Sequence, residues 1–258
     1  MIKFFRKIRL KLLSEGKTGK YFKYAIGEIV LVVIGILIAL SINNWNQYSN
    51  DREKEIAILK ELKKEFEENS IRYKETIEAQ TFTIKSSQSF MDCLEKKNLN
   101  YKRDSIGYFI IYGPLNYYKA EPVIGAYKSI NASGNISLIQ NSELKSKLAA
   151  FDSEISQGFE DESSSMSLLN LLHVEVSPIL EPLLTTEIRE RVGLKQPQNM
   201  DVEYQNNALL KLYENQNILS LVLIRSQMEN NRLMLQRKML TYTDEIIELI
   251  NNELNAEN

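Results

Sequence analysis

The residues best able to do chemistry are few and scattered. His173 is the single histidine and Cys93 the single cysteine. His173 lies two residues before Glu175, among Leu169, Leu172 and Val176. On a helix, that places it at the edge of an apolar face. A histidine satisfied by its surroundings is the expected reading, ahead of a general base or ligand. One cysteine excludes an internal disulfide framework and a cysteine-based zinc cluster. The zinc-helix pattern His-Glu-x-x-His and the nucleophile elbow Gly-x-Ser-x-Gly are absent from the sequence. Gly16-Lys17-Thr18 ends like a phosphate-binding loop, but position 11, where such a loop needs its first glycine, is Lys. Asp161-Glu162 beside Ser163 to Ser165 reads as a solvated bend, because a calcium loop needs more carboxylates. Tyr108, Tyr112, Tyr117, Tyr118 and Tyr127 crowd one region. They would line a pocket or cap the end of a helical bundle. With no nucleophile–base pair and no metal set, the chain is not expected to be an enzyme, and no cofactor or metal is expected.

One ionisable residue stands out by its surroundings. Glu28 interrupts the run Ala25–Ile42, which is otherwise apolar except for Ser41. At a rise of ~1.5 Å per residue that run covers roughly the ~30 Å hydrocarbon core of a bilayer. The expectation is one transmembrane helix over residues 24–45. Gly35 and Ala39 follow Glu28 at i+7 and i+11, so the three share a helical face. Small residues at that spacing let two helices approach closely, and a carboxylate can bond a partner helix. The blander reading is a Glu28 that snorkels to the nearby interface. Trp45 and Tyr48 follow the run, where amphipathic rings anchor at the headgroup level. A cleaved signal peptide fits less well, since the apolar run exceeds the usual ~7–15 residues.

Net charge is asymmetric. Residues 1–23 carry eight Lys or Arg and one Glu, whereas the chain beyond Glu28 has 24 positive and 32 negative residues. The basic segment suits an anionic membrane surface and a cytoplasmic N-terminus. Its Met1, Phe4, Phe5, Ile8 and Leu12 share one helical face, so it reads either as a short interfacial helix or as a solvated flank. The acidic remainder argues against nucleic-acid binding. On this orientation residues 46–258 are periplasmic, anchored in a bacterial inner membrane.

The elements that carry these residues read as all-α. Residues 47–97 contain no Gly or Pro and repeat apolar positions at helical spacing, as at Ile56, Leu59, Leu62, Phe66 and Tyr73. A second long helix is expected over about 141–176, capped by Asn141 or Ser142, with Pro178 and Pro182 interrupting it. A third is expected over about 203–254, returning alongside the first. Between 98 and 200 the five prolines break the chain into shorter pieces. Asp104–Tyr112 reads as a short helix or strand, Pro122 as the first turn of another helix, Ser133-Gly134-Asn135 as a turn, and 185–200 as a polar loop. The architecture expected is one N-terminal transmembrane helix continuing into an elongated antiparallel helical bundle.

The pattern YAIGEIVLVVIGILIAL-x-INNWN behind a short FFRKIR-type basic head resembles the start of an uncharacterised membrane-protein family of the Bacteroidetes. The segment AYKSINASGNISLIQNSELKSKL is similar to that family's body. Gly27, Glu28, Gly35, Asn43, Asn44 and Trp45 sit on the pattern's positions. The resemblance implies the topology and covers most of the chain, but it transfers no catalytic residue. In a bacterial source, the Asn-x-Ser acceptors at Asn131 and Asn135 would carry no meaning. The functional expectation is an interaction or scaffold module of the cell envelope, partnered by the lipid bilayer and by itself or another envelope protein. The alternative is a small-molecule-sensing bundle. Its output would need a partner subunit, because the cytoplasmic segment is too short to hold one.

Overall fold

A computed structural model describes residues 18–99, 102–157, 162–195 and 202–256. Most of the basic N-terminal segment, with its apolar face from Met1 to Leu12, lies outside the described residues, as does Asp161. The described residues form helices and 3-10 turns, with no strand among them. The helices are α1 (Thr18–Lys96), α2 (Arg103–Tyr112), α3 (Gly125–Ala132), α4 (Ser142–Gln157), α5 (Glu162–Leu180), α6 (Thr186–Arg191), α7 (Val202–Glu214) and α8 (Gln216–Asn255). The all-α expectation holds. Two compact units divide the chain, Met1–Ile58 and Leu59–Asn258.

In the first unit, α1 is long and apolar enough to cross a membrane. Every large apolar side chain from Ile26 to Ile42 is exposed, at 47–66 %. An amphipathic helix would bury one stripe and expose the other. This stretch exposes apolar groups all round, which water disfavours by about 25 cal/mol per Å². The helix continues unbroken past Trp45 and Tyr48 to Lys96, so no loop divides the apolar run from the 47–97 helix. No proline occurs along its 79 residues to interrupt it. It stops at Lys97, whose φ of 48° lies in the left-handed region, with the Lys97 N–H donating to the Cys93 carbonyl.

In the second unit, α8 runs antiparallel to α1, as Ser70 reaches Asp244 while Gln80 reaches Glu229. Helices α4 and α5 follow α8 in one continuing antiparallel register. Asn141 pairs with Glu253, Lys147 with Glu245, Glu154 with Lys238, Ser165 with Arg225, and Glu175 with Asn217. The expected 141–176 helix therefore appears as two described helices on one line, separated by residues outside the description. Asn141 caps it as expected, accepting from the Leu144 N–H at 2.9 Å. Pro178 does not end it. The helix passes through Pro178 to Leu180 and closes in a 3-10 turn holding Pro182. A proline so near the C-terminus forfeits only one backbone bond.

The expected single helix over 203–254 is corrected to two, α7 and α8. At Asn215 ψ is 96°, outside the helical region. Its side-chain oxygen accepts from the Asn217 N–H, and its amide donates to Glu175 Oε2 at 2.7 Å. Asparagine competes well with helix propagation because it caps the next helix and is itself held by a carboxylate. Two smaller expectations also change. Pro122 precedes α3 rather than opening it, and the stretch read as a loop contains α6, capped by the Thr185 hydroxyl. Asp104–Tyr112 resolves as helix, and Gly134 makes the expected turn with φ 74°.

Apolar packing gathers toward the two ends of this unit. One cluster joins Phe90 and Leu94 of α1 to Ile106, Leu172, Leu209 and Val222. Toward the other end Leu59, Leu62, Leu144, Leu148, Ile246 and Ile250 are buried, and the Phe66 and Phe151 rings pack 4.9 Å apart. Each such side chain contributes about 1.5–3 kcal/mol when fully buried.

Candidate functional site: a polar waist that binds an extended strap

Between those apolar ends the bundle core is polar. The buried seam of α8 reads Ile218, Val222, Arg225, Glu229, Arg232, Gln236, Met239, Thr243, Ile246, Ile250. Its alternating steps of four and three are the heptad spacing that keeps one face toward a neighbour. The seam of α1 keeps the same heptad spacing, with one full step of seven from Tyr73 to Gln80, and buries Asn69, Tyr73, Gln80, Thr83 and Ser87 between Phe66 and Phe90. The positions are those of a hydrophobic seam, but the residues at its middle are not hydrophobic.

The buried charges form one connected set. Glu229 Oε1 accepts from Arg232 at 2.7 Å and from Arg225 at 3.2 Å, and Glu229 Oε2 accepts from Gln80 at 2.9 Å. The Gln236 amide donates to Gln80 Oε1. Arg225 and Arg232 are each 1 % exposed. Two guanidiniums thus share one carboxylate. Burial lowers the Arg225 pKa, with the neighbouring Arg232 pulling the same way and Glu229 opposing. A guanidinium still keeps its charge at neutral pH.

A buried ion set is a poor source of net stability, because desolvation offsets most of the attraction. What these side chains do is satisfy backbone. Residues 114–124, the strap, link α2 to α3 without regular structure. A non-helical segment laid on a bundle must find partners for its N–H and C=O groups. The polar waist supplies them. Arg225 donates to the Asn116 carbonyl at 2.7 Å, the Arg232 guanidinium lies 4.1 Å from the Tyr117 ring centroid, and Gln236 accepts from the Ala120 N–H at 2.8 Å. From α1, Arg72 donates to the Glu121 carbonyl, and Asn69 both donates to and accepts from Val123. Just beyond, the Glu65 carboxylate accepts from the Ala126 and Tyr127 N–H groups at 2.6 and 3.0 Å. These are first-turn donors of α3, so Glu65 caps that helix from a distant part of the chain. Burial pushes the Glu65 pKa up, while the two backbone bonds pull it down.

Two glycines bring neighbouring backbones close. A Cβ at Gly113 would collide with the Phe109 carbonyl and lie 2.7 Å from the Ser87 nitrogen of α1. A Cβ at Gly107 would run into the Leu183 carbonyl and lie 2.7 Å from its carbon.

The strap walls a cleft of about 210 Å³ on the face reached by Tyr73, Glu154, Ile155, Leu235 and Met239. Among the described residues no group of three His, Cys, Asp or Glu side chains converges on a metal position.

The residues singled out from sequence lie elsewhere. Glu28, Gly35 and Ala39 share a face of α1 in the first unit, and nothing stands within 4 Å of a Cβ built on Gly35. Trp45 and Tyr48 are exposed, at 72 % and 59 %. His173 is exposed, with Nδ1 2.9 Å from the Leu169 carbonyl. The tyrosines separate. Tyr108 and Tyr112 stack 4.5 Å apart beside Phe82, Tyr117 lies against Arg232, and Tyr127 is buried. The waist itself went unread in the sequence. Its signal was present, since continuing the step from Ile218 and Val222 lands on Arg225, Glu229, Arg232 and Gln236.

Residues 28–154 match the model of a family of unknown function, DUF6090. The match begins at Glu28 and takes in most of α1, the strap, α3 and most of α4. The α8 half of the waist lies beyond it. No curated protein and no solved structure matches the chain.

Proposed function

We propose that the chain is a single-pass protein of a bacterial inner membrane. The apolar part of α1 spans the bilayer, the basic N-terminus is cytoplasmic and the helical bundle is periplasmic. The bundle serves as an interaction or scaffold module of the envelope rather than as an enzyme, and nucleic acid is not a partner. One observation carries this reading: apart from Glu28 and Ser41, the side chains from Ile26 to Ile42 are apolar, and the large ones are exposed around the whole circumference of the helix. Such a surface calls for lipid, or for another helix within lipid. Eight positive charges before Tyr24 favour the cytoplasmic side for that end. Trp45 and Tyr48 suit the opposite headgroup level. The Glu28, Gly35, Ala39 face suits close approach of a second copy or of another envelope protein.

Crosslinking in intact membranes followed by purification tests the interaction role. The expected product is a homo-oligomer or a complex with an envelope protein, lost on Gly35→Leu with Ala39→Leu. A monomer under all crosslinking conditions would overturn it.

A further inference from the structure

We propose that the cleft beside the strap is a binding site for a compact, uncharged, mainly apolar molecule carrying one hydrogen-bond-accepting oxygen. The cleft lies wholly within the second unit, and the inference does not rest on the membrane reading.

Tyr73 sits on the α1 seam, is 3 % exposed and lines the cleft. Burial alone pushes its phenol pKa up, and no hydrogen bond or neighbouring charge contributes. Among the described residues its hydroxyl has no hydrogen-bond partner. Its neighbours on the seam differ, since Asn69 and Gln80 are bonded on both sides. The phenol therefore presents a neutral donor toward the cleft.

Ile155, Leu235, Met239 and Pro122 make the walls mostly apolar. Of the three charged residues on the lining, Lys119 pairs with Glu162 and Glu154 with Lys238, each at 2.6 Å, and Glu121 is exposed to solvent. An anion would have to displace Glu162 from Lys119, a cation would displace Lys238 from Glu154 or gain only a solvent-screened contact with Glu121, and an uncharged ligand does neither. In size, 210 Å³ exceeds the cavity of about 150 Å³ that accepts benzene. A single ring with a short polar substituent fits. Apolar walls with one oriented donor are the usual composition of a small-molecule site.

The test uses the full chain in lipid nanodiscs and two probes of nearly equal shape, 4-fluoroacetophenone and 4-fluoroethylbenzene. Only the first carries a carbonyl acceptor. Fluorine NMR against empty nanodiscs separates binding from partition into lipid. Wild type is expected to bind the ketone about 5–10-fold more tightly than the hydrocarbon, as one hydrogen bond of about 1 kcal/mol or somewhat more implies. Tyr73→Phe keeps the ring and the fold and should abolish that preference while still binding both probes. Met239→Trp, which fills the cleft, should abolish binding of both. Failure of either probe to bind wild type, or a ketone preference unchanged in Tyr73→Phe, would overturn the proposal. So would binding unchanged in Met239→Trp.

Discussion

Asn69 holds Val123 by both of its peptide groups, accepting from the Val123 N–H at 2.6 Å and donating to the Val123 carbonyl at 2.7 Å. A side-chain amide thereby imitates a neighbouring strand for one residue of a segment without regular structure. Asn69→Leu leaves a part-buried donor and acceptor of Val123 without this partner, at up to about 1–3 kcal/mol each. Asn69→Asp keeps the acceptor and sets a carboxylate against the Val123 carbonyl, so it should be no milder. Thermal unfolding followed by circular dichroism checks the order. A Leu variant as stable as wild type would show that the strap does not depend on this pair.

Removing the carboxylate from the waist should be far more damaging than removing a surface ion. Glu229→Ala leaves Arg225 and Arg232 buried beside each other without their shared partner. Breaking a buried pair in this way costs about 3–5 kcal/mol. Lys147→Ala breaks a half-exposed pair with Glu245 and should move the melting temperature far less. Equal effects from the two variants would contradict the assignment of the waist as the tightly coupled centre.

Gly107→Ala and Gly125→Ala place the same methyl group in opposite situations. The first meets the Leu183 backbone, which cannot rotate away, and should destabilise by several kcal/mol or prevent folding. The second finds its nearest atom, Glu65 Oε2, at 4.0 Å and gains helix propensity, so it should be neutral or mildly stabilising. Expression level and melting temperature of the two variants decide the matter. Tolerance of Gly107→Ala would rule out the close packing of α2 on the turn after α5.

Glu65 gives a pH signature. Its pKa is raised in the folded chain, so the folded state holds that proton more tightly than the unfolded state, whose carboxyl titrates near ~4.3. As pH rises through the window above that value, the unfolded chain releases the proton first. The contribution of this group to stability therefore declines with rising pH, then levels once the folded carboxyl has ionised. Glu65→Gln cannot titrate and leaves one backbone N–H of α3 without an acceptor, so it is the weaker protein throughout. The advantage of wild type over Glu65→Gln should narrow between pH 4 and pH 7 in melting experiments. A gap that widens with pH would contradict the raised value.

Much of the fold is legible in the sequence because it rests on spacing. The apolar run to Ile42, the Leu and Ile positions at both ends of the seams, and Asn141 as a cap all carry local signals. The waist is harder because Arg225, Glu229 and Arg232 read as surface by type. Only the unbroken heptad step assigns them to the interior. The strap carries no period, and its burial depends on side chains more than 50 residues away in sequence, such as Asn69 and Gln236. The helix break at Asn215 depends on Glu175 of α5, which local propensity does not register. The cleft was hidden for a related reason, since Tyr73 looks like any other apolar seam position until its hydroxyl is traced.

The placement of the bundle outside the membrane is the claim on which the proposed role depends. A reporter that is active only after export, fused behind Asn258, measures it directly. Full activity is expected, together with loss of activity when Lys3, Arg6, Lys7, Arg9 and Lys11 are moved to follow Trp45. Activity of a cytoplasm-only reporter at the same position would contradict the orientation and with it a periplasmic role.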